Sequence, residues 1–152
     1  MESWWAPRRV VRGLSSMPER VKIAVLMLAM LIFLVAQAPL HARRAALDPS
    51  IPLEARMGGA IMAIMFMMPL LAYGLASLIS AFSRLTPWRL GPEDSRLALF
   101  WALLAVSPAM LLQGLVAGMV GPGPGLIVVQ IICGFGFLFI WGAGISVLAR
   151  RK

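Results

Sequence analysis

The side chains that could do chemistry in this chain are few. His41 is the only histidine and Cys133 is the only cysteine, which excludes a histidine-based triad, an internal disulfide and a cysteine-based zinc site. Met62, Met65 and Met68 could offer thioethers to Cu(I). Because no Cys or His lies near them in the sequence, adaptable packing explains these methionines better. We therefore predict no catalytic residue, no metal and no cofactor.

Three amide side chains, Gln37, Gln113 and Gln130, lie within the long apolar stretches of the sequence. At 1.5 Å per residue, all three fall within roughly 5–10 Å of the same edge of a helical membrane span. Amides in membranes usually hydrogen-bond between helices. The alternative is a polar pocket that opens to the outer side of the membrane, and the sequence leaves both interpretations open.

Four apolar stretches must position these side chains. They comprise residues 23–40, 57–82, 97–120 and 126–148, and none contains Asp, Glu, Lys, Arg or His. Each is close to or above the roughly 20 residues that a helix needs to cross a bilayer, and none alternates like a barrel strand. With 61% apolar and 13% charged residues, the chain is too apolar for a soluble domain. We predict an all-α membrane protein, a four-transmembrane-helix bundle over residues 23–148.

The basic residues predict the orientation of these spans. Most of the 14 Lys and Arg residues lie in residues 1–22, between the second and third spans, or in the tail 149–152. Basic loops stay on the cytoplasmic side. We therefore expect both termini to be cytoplasmic and the protein to be a multi-pass component of a bacterial inner membrane. Because the basic residues are scattered along the membrane edge, we do not expect nucleic acid as a partner.

Residues 1–22 combine apolar and basic side chains at helical spacing. In a helical projection Trp4 lies among the apolar residues, and Arg8, Arg9 and Arg12 lie on the opposite side. This pattern is typical of an amphipathic helix in the membrane interface. Such a helix would bind anionic lipids of the cytoplasmic leaflet. The alternative is that the arginines only set the topology.

Small residues and prolines predict how the spans pack. Small residues at four-residue spacing let helices approach closely, and the pairs on the second and third spans are Ala72, Ala76, Gly114 and Gly118. Packing within one chain is the simpler interpretation of these pairs, and a dimer contact is the alternative. Pro69 and Pro108 lie near the middle of the same two spans, where each removes a backbone hydrogen bond and is expected to kink its helix.

Three stretches carry a resemblance to a known family: residues 47–56 (LDPSIPLEAR), residues 96–108 (RLALFWALLAVSP) and the GPGPG turn at residues 121–125. In these stretches the chain resembles small bacterial membrane proteins of the Yip1-domain family, of the alphaproteobacterial type. The resemblance implies a polytopic bundle with a cytoplasmic N-terminus. Because the chain lacks the acidic-aromatic-Gly-Pro motif of the eukaryotic branch, the GTPase contacts of that branch are not carried over.

The expected function is therefore non-catalytic. We expect a membrane organiser or accessory subunit of the Yip1-like type, which binds lipid and a partner, either another integral membrane protein or a second copy. The alternative is a carrier or channel for a small neutral or lipidic solute, which would use the kinked spans and the three glutamines. An enzyme ranks third, because the apolar spans contain no acid–base pair.

Overall fold

The computed structural model describes Val11, residues 18–85 and residues 88–151. Four long helices run through this part of the chain: α1 (Glu19–Leu47), α2 (Leu53–Ser83), α3 (Pro92–Met119) and α4 (Pro124–Leu148). Each is long and apolar enough to cross a membrane. This confirms the predicted all-α, four-span membrane fold.

The predicted amphipathic helix falls largely on residues that the structure does not describe. Trp4, Arg8, Arg9 and Arg12 all lie outside the described residues. Val11, which is described, is fully buried and belongs to an apolar cluster with Leu97 of α3 and Leu148 of α4. This apolar residue of the segment therefore packs against the helices.

The central helix of the bundle is α3. Its most extensive contact among the described helices is with α1, and it also packs against α4 and against the Met68–Ser83 part of α2. We call the end of the bundle where α1 begins and α4 ends the terminal end. The opposite end, formed by residues 48–52 and 120–123, is the turn end.

Backbone pairing closes the terminal end. Two residues between α2 and α3, β1 (Trp88–Arg89), pair antiparallel with two residues after α4, β2 (Arg150–Arg151). The segment that follows α4 is therefore tied to the loop between α2 and α3. The two segments lie at the same end of the bundle.

The sequence predicts a loop from residue 41 and the start of the second helix near Ser50 and Pro52. The helix start is confirmed, but the loop begins later than predicted. Helix α1 continues through Pro39 to Leu47, and α2 begins at Leu53, so only residues 48–52 connect the two helices. The apolar run ends at Leu40, but the Ala and Arg residues that follow favour helix and carry α1 beyond the apolar layer.

Two glycines let α3 approach α1 closely. A Cβ atom on Gly114 would stand 1.7 Å from the carbonyl oxygen of Ala36. One on Gly118 would stand 2.4 Å from the Cβ of Pro39. This pair of small residues therefore packs between helices of the same chain.

Two alanines of α2 lie against α3 in the terminal half of the bundle. Ala72 and Ala76 are buried in the apolar core that also contains Phe100 of α3. The Ser95 hydroxyl donates a hydrogen bond of 2.7 Å to the Ala76 carbonyl oxygen. Because a short hydroxyl bridges the two helices, their backbones approach closely here.

A π-helical segment, Met62–Met67, interrupts α2. There the Met68 N–H donates to the Ala63 carbonyl five residues earlier, and Pro69 follows in the first turn of the next α-helical part. A proline has no N–H to continue the ladder, and a π-helical turn is a known way to accommodate it. The irregularity that Pro69 predicts in α2 thus takes the form of a π segment.

Pro108 is accommodated differently, because α3 runs through it as one α-helix. One residue earlier, the Ser107 hydroxyl donates to the Leu103 carbonyl oxygen at 3.1 Å. A hydroxyl bonded to the carbonyl of the preceding turn is typical of bent helices in membranes.

Candidate functional site

A cavity of about 320 Å³ lies between α1, α2 and α3 in the turn half of the bundle. This volume is at the lower end of the range for ligand pockets in proteins. The cavity is lined by residues of all three helices: Phe33, Ala36, Gln37, Leu40, Ala63, Ile64, Met68, Met110, Gln113, Gly114 and Ala117.

Two of the three predicted glutamines line this cavity. Gln37 projects from α1 and is exposed, and Gln113 projects from α3 and is partly buried. Within the described part of the chain, neither side chain has a hydrogen bond or ion pair. Gln130 lies on α4, is exposed, and does not belong to the lining. The structure therefore brings together one pair of the predicted polar cluster.

The cavity results from how α2 and α3 approach α1. On one side Gly114 holds α3 against Ala36 of α1. On the other side α2 contributes Ala63 and Ile64 of the π segment and Met68 just after it. Because α3 packs mainly against the part of α2 that follows the π segment, a gap remains between the two helices in the turn half.

The lining of the cavity is polar near the turn end, at the two glutamines, and apolar deeper in the bundle. From Phe33 to Leu40 the cavity follows seven residues of α1, which is about 10 Å along the helix axis. Gln37 lies near the turn end of this length, whereas Phe33, Met68 and Met110 line its deeper part. Methionine side chains adapt to irregular ligands. The cavity therefore fits a molecule with a hydrogen-bonding group at one end and an apolar group at the other.

The turn end of the bundle above the cavity carries three arginines. Arg43 donates from Nη1 to the carbonyl oxygens of Gly118 and Met119 at 3.2 and 3.1 Å, and so caps the last turn of α3. Arg56 forms an ion pair with Asp48, 3.1 Å from Nη2 to Oδ2. Arg44 is exposed, and its side chain has no partner among the residues that the structure describes.

The Asp48 carboxylate is held at the start of the loop between α1 and α2. It accepts hydrogen bonds from the Ser50 hydroxyl at 2.5 Å and from the Ser50 N–H at 3.1 Å. The bonds from Ser50, with a further contribution from the Arg56 guanidinium, lower the pKa of Asp48. Asp48 is therefore ionised at neutral pH and engaged by Ser50 and Arg56.

A second charged cluster lies at the terminal end, and no pattern in the sequence predicts it. Glu19 of α1 accepts hydrogen bonds from Arg96 of α3 at 2.9 Å and from the Tyr73 hydroxyl of α2 at 3.3 Å. Lys22, only 3% exposed, forms ion pairs with Glu19 and Glu93. These partners are up to 77 residues apart in the sequence, so no local pattern could have linked them.

The terminal cluster ties three helices together. Its two cations, Lys22 and Arg96, face the two carboxylates of Glu19 and Glu93. Arg96 also lies over the Tyr73 ring, 5.4 Å from its centroid. Because every charge of the cluster is partnered within it, we interpret the cluster as a structural lock between α1, α2 and α3.

The other side chains that could do chemistry, two methionines and the cysteine, do not line the cavity with the two glutamines. Met62 is 62% exposed on the outside of α2, and Met65 packs against the apolar core. Cys133 is a buried free cysteine on α4. Among the described residues, no group of three His, Cys, Asp or Glu side chains gathers in one place.

Comparison with known proteins identifies no relative of this chain. No protein-family model, curated protein or solved structure matches the chain. The resemblance to the Yip1-domain family stays a prediction.

Proposed function

We propose that this chain is a non-catalytic membrane organiser or accessory protein that holds a lipid in the cavity between α1, α2 and α3. One observation carries the proposal. Gln37 and Gln113, two amides without a partner in the described part of the chain, face one cavity whose other lining residues are apolar. A lipid matches both features, because its ester or hydroxyl groups can pair with amides and its chain with the apolar wall.

The energetics of the two amides support a bound molecule. An amide without a hydrogen bond in an apolar environment costs about 1–3 kcal/mol. Gln113 is partly buried and Gln37 is exposed, so each bears only part of this cost. A molecule that hydrogen-bonds with both amides of the cavity is favoured there. Because the groups on the wall are uncharged, they select for hydrogen-bonding capacity and apolar shape.

Lipid binding of this kind would be part of a wider role, for which the sequence pattern is the basis. The protein would be a Yip1-like accessory subunit of a bacterial inner membrane, associated with anionic lipids and with another integral membrane protein or a second copy of itself. The apolar exterior of α4 suits acyl chains and a membrane-embedded partner alike, since Ile131, Phe135 and Phe139 are all more than half exposed. Nucleic acid is not part of this role.

A carrier for a small neutral or lipidic solute is the second candidate. It is favoured by the π segment of α2, whose residues Ala63 and Ile64 form one wall of the cavity, and by Pro69 just after it. π-helical turns are frequent at functional sites. In proteoliposomes a carrier moves fluorescent lipid between leaflets, whereas an organiser binds the lipid without moving it.

Native mass spectrometry of the purified protein tests the lipid-binding proposal. We expect the wild-type protein to retain lipid when it is taken from membranes in a mild detergent. Replacing Gln37 and Gln113 together by Leu should remove most of this lipid. The Gln130→Leu variant is the matched control, because its amide lies on α4 outside the cavity lining, and it should retain lipid like the wild type.

A cavity-filling variant keeps the test valid if the double variant does not fold. Ala63 is exposed and lines the cavity, so Ala63→Phe should fill the cavity without changing an amide. It should displace lipid in the same way as the Gln37→Leu/Gln113→Leu protein. Full lipid retention in both variants, with intact helix content by circular dichroism, would overturn the proposal.

A further inference from the structure

We infer that the cavity and Arg44 together form a site for one anionic phospholipid. In this site the phosphate lies on the Arg44 guanidinium, the ester groups lie at Gln37 and Gln113, and an acyl chain occupies the apolar part of the cavity. The inference rests on the proposed lipid-binding function and names the lipid class that the site selects.

One face of α1 runs along the whole length of the site. Phe33, Gln37 and Leu40 line the cavity, and Arg44 follows Leu40 after four more residues. Residues three and four apart lie on the same face of a helix, so the spacing of these four residues places Arg44 directly above the cavity lining. A molecule that extends out of the cavity along α1 meets this guanidinium first.

The other cations at the turn end are already engaged. Arg43 is bonded to the Gly118 and Met119 carbonyl oxygens, and Arg56 to Asp48 and to the Ile51 carbonyl oxygen. Arg44 has no hydrogen bond or ion pair to any described residue. Its five N–H donors are therefore available for an external anion.

The electrostatic surroundings of Arg44 favour an anion. The positively charged side chains of Arg44 and Arg56 both lie near the His41 imidazole, so positive charge is concentrated at this end of the bundle. The nearest acid along the helix, Asp48, is occupied by Ser50 and Arg56. Glu54 of α2 is exposed and has no ion pair within the described residues. No described carboxylate forms an ion pair with Arg44, so its guanidinium is open to an external anion.

The position of Arg44 along α1 matches the depth of a phosphate. Leu40 is the last residue of the apolar run, and Arg44 lies four residues beyond it, which is about 6 Å along the axis. The headgroup layer on each side of the hydrocarbon core is about 5–8 Å thick, so this distance lies within it. A guanidinium binds phosphate oxygens through two parallel hydrogen bonds.

An anionic phospholipid fits the site better than a neutral lipid or free phosphate. A zwitterionic lipid such as phosphatidylcholine offsets its phosphate with its own ammonium group and would bring that positive charge next to Arg44. Free phosphate would leave the apolar part of the cavity at Phe33, Met68 and Met110 empty. In a phospholipid the ester groups lie between the phosphate and the chains. This is the order in which Arg44, the two amides and the deeper apolar wall at Phe33 follow from the turn end into the cavity.

Titration by native mass spectrometry tests the inference. The purified protein is titrated with phosphatidylglycerol and with phosphatidylcholine of identical acyl chains, and separately with inorganic phosphate. We expect the wild type to bind phosphatidylglycerol about tenfold more tightly, a difference of about 1.4 kcal/mol. Arg44→Gln should abolish this preference while phosphatidylcholine still binds. Arg20→Gln is the matched control, since Arg20 is exposed on α1 at the other end, and it should keep the preference.

The outcomes separate this inference from the proposed function. If Arg44→Gln keeps the preference while Gln37→Leu/Gln113→Leu loses lipid, the inference is wrong and the lipid-binding function stands. If inorganic phosphate displaces phosphatidylglycerol from the wild type, the site is one for free anions and the inference is wrong. If the wild type binds neither lipid, both the inference and the proposed function are overturned.

Discussion

The guanidinium of Arg43 lies directly on the backbone of Gly121. A Cβ atom on Gly121 would stand 2.6 Å from Nη2 of Arg43, and the residue has a φ of +88° that favours glycine. The same guanidinium donates to the carbonyl oxygens of Gly118 and Met119. One side chain of α1 thus covers the end of α3 and the turn that leads to α4.

We expect Arg43→Gln to destabilise the protein by about 1–2 kcal/mol, because hydrogen bonds from a charged donor to the last carbonyls of α3 are lost. Thermal unfolding in detergent measures the loss. Arg20→Gln is the matched control, since Arg20 is exposed on α1 and bonds to no described residue, and its replacement should leave the midpoint unchanged. Equal midpoints for both variants would mean that Arg43 does not stabilise the end of α3.

Gly114→Ala should destabilise the protein strongly. The added methyl group would stand 1.7 Å from the carbonyl oxygen of Ala36, and a backbone atom cannot move aside as a flexible side chain can. Overpacking of this kind typically costs about 1–3 kcal/mol. Gly74→Ala is the control, because a Cβ at Gly74 meets nothing within 4 Å. It should leave stability unchanged or raise it slightly, since alanine favours helix. Thermal unfolding of the two variants should therefore diverge.

Glu19→Gln should weaken the lock at the terminal end. The carboxylate pairs with Arg96 and Lys22, and its loss leaves the buried Lys22 with Glu93 alone. Because Glu19 is 36% exposed and its pairs are screened by solvent, we expect a loss of about 1 kcal/mol. Unfolding measured at low and high salt should show a smaller difference from wild type at high salt. Glu54→Gln, which changes an acid without an ion pair among the described residues, should show no loss in either condition.

The Asp48 carboxyl group should titrate below the ordinary range of an aspartate, because the bonds from Ser50 and the Arg56 guanidinium favour its ionised form. A group with a lowered pKa stabilises the folded state above its unfolded pKa, and this contribution is lost as the pH falls through the folded pKa. Stability should therefore fall more steeply below pH about 4 in the wild type than in Asp48→Asn. Carbon-13 NMR of the Asp48 carboxyl group would give the midpoint, and an ordinary value would contradict the bonds to Ser50.

Cysteine labelling tests the predicted orientation. In a Cys133→Ala background, Ser50→Cys and Gly123→Cys place a thiol at the turn end, where a Cβ on Gly123 meets nothing within 4 Å. Leu85→Cys places one at the terminal end, at a residue that is 83% exposed. If the termini are cytoplasmic, a membrane-impermeant maleimide added outside intact bacteria should label positions 50 and 123 only. Labelling of position 85 from outside would reverse the orientation.

The four spans could be predicted from the sequence, because long runs without charge have few other structures available in a membrane. The ends of the helices could not. The apolar run predicts that α1 ends at Leu40, its last apolar residue. Helix propensity instead carries the backbone to Leu47. The π segment of α2 also escaped prediction, since Pro69 indicates an irregularity but not its form.

The candidate site could be predicted in part. An amide in an apolar span is visible in a sequence, so Gln37 and Gln113 were found, but periodicity does not say which helices face each other. The sequence therefore groups Gln130 with them, although this residue of α4 does not line the cavity. The role proposed for Arg44 required the extension of α1, without which that residue belongs to a loop.

The central position of α3 has a consequence for biosynthesis. Chains are made from the N-terminus, so α1 and α2 reach the bilayer before α3, the main neighbour of α1, exists. Until the third span arrives, the surface of α1 around Ala36 that later receives Gly114 faces acyl chains. The cavity has no third wall at this stage, so the proposed lipid can bind there only after Pro92–Met119 has left the ribosome and docked.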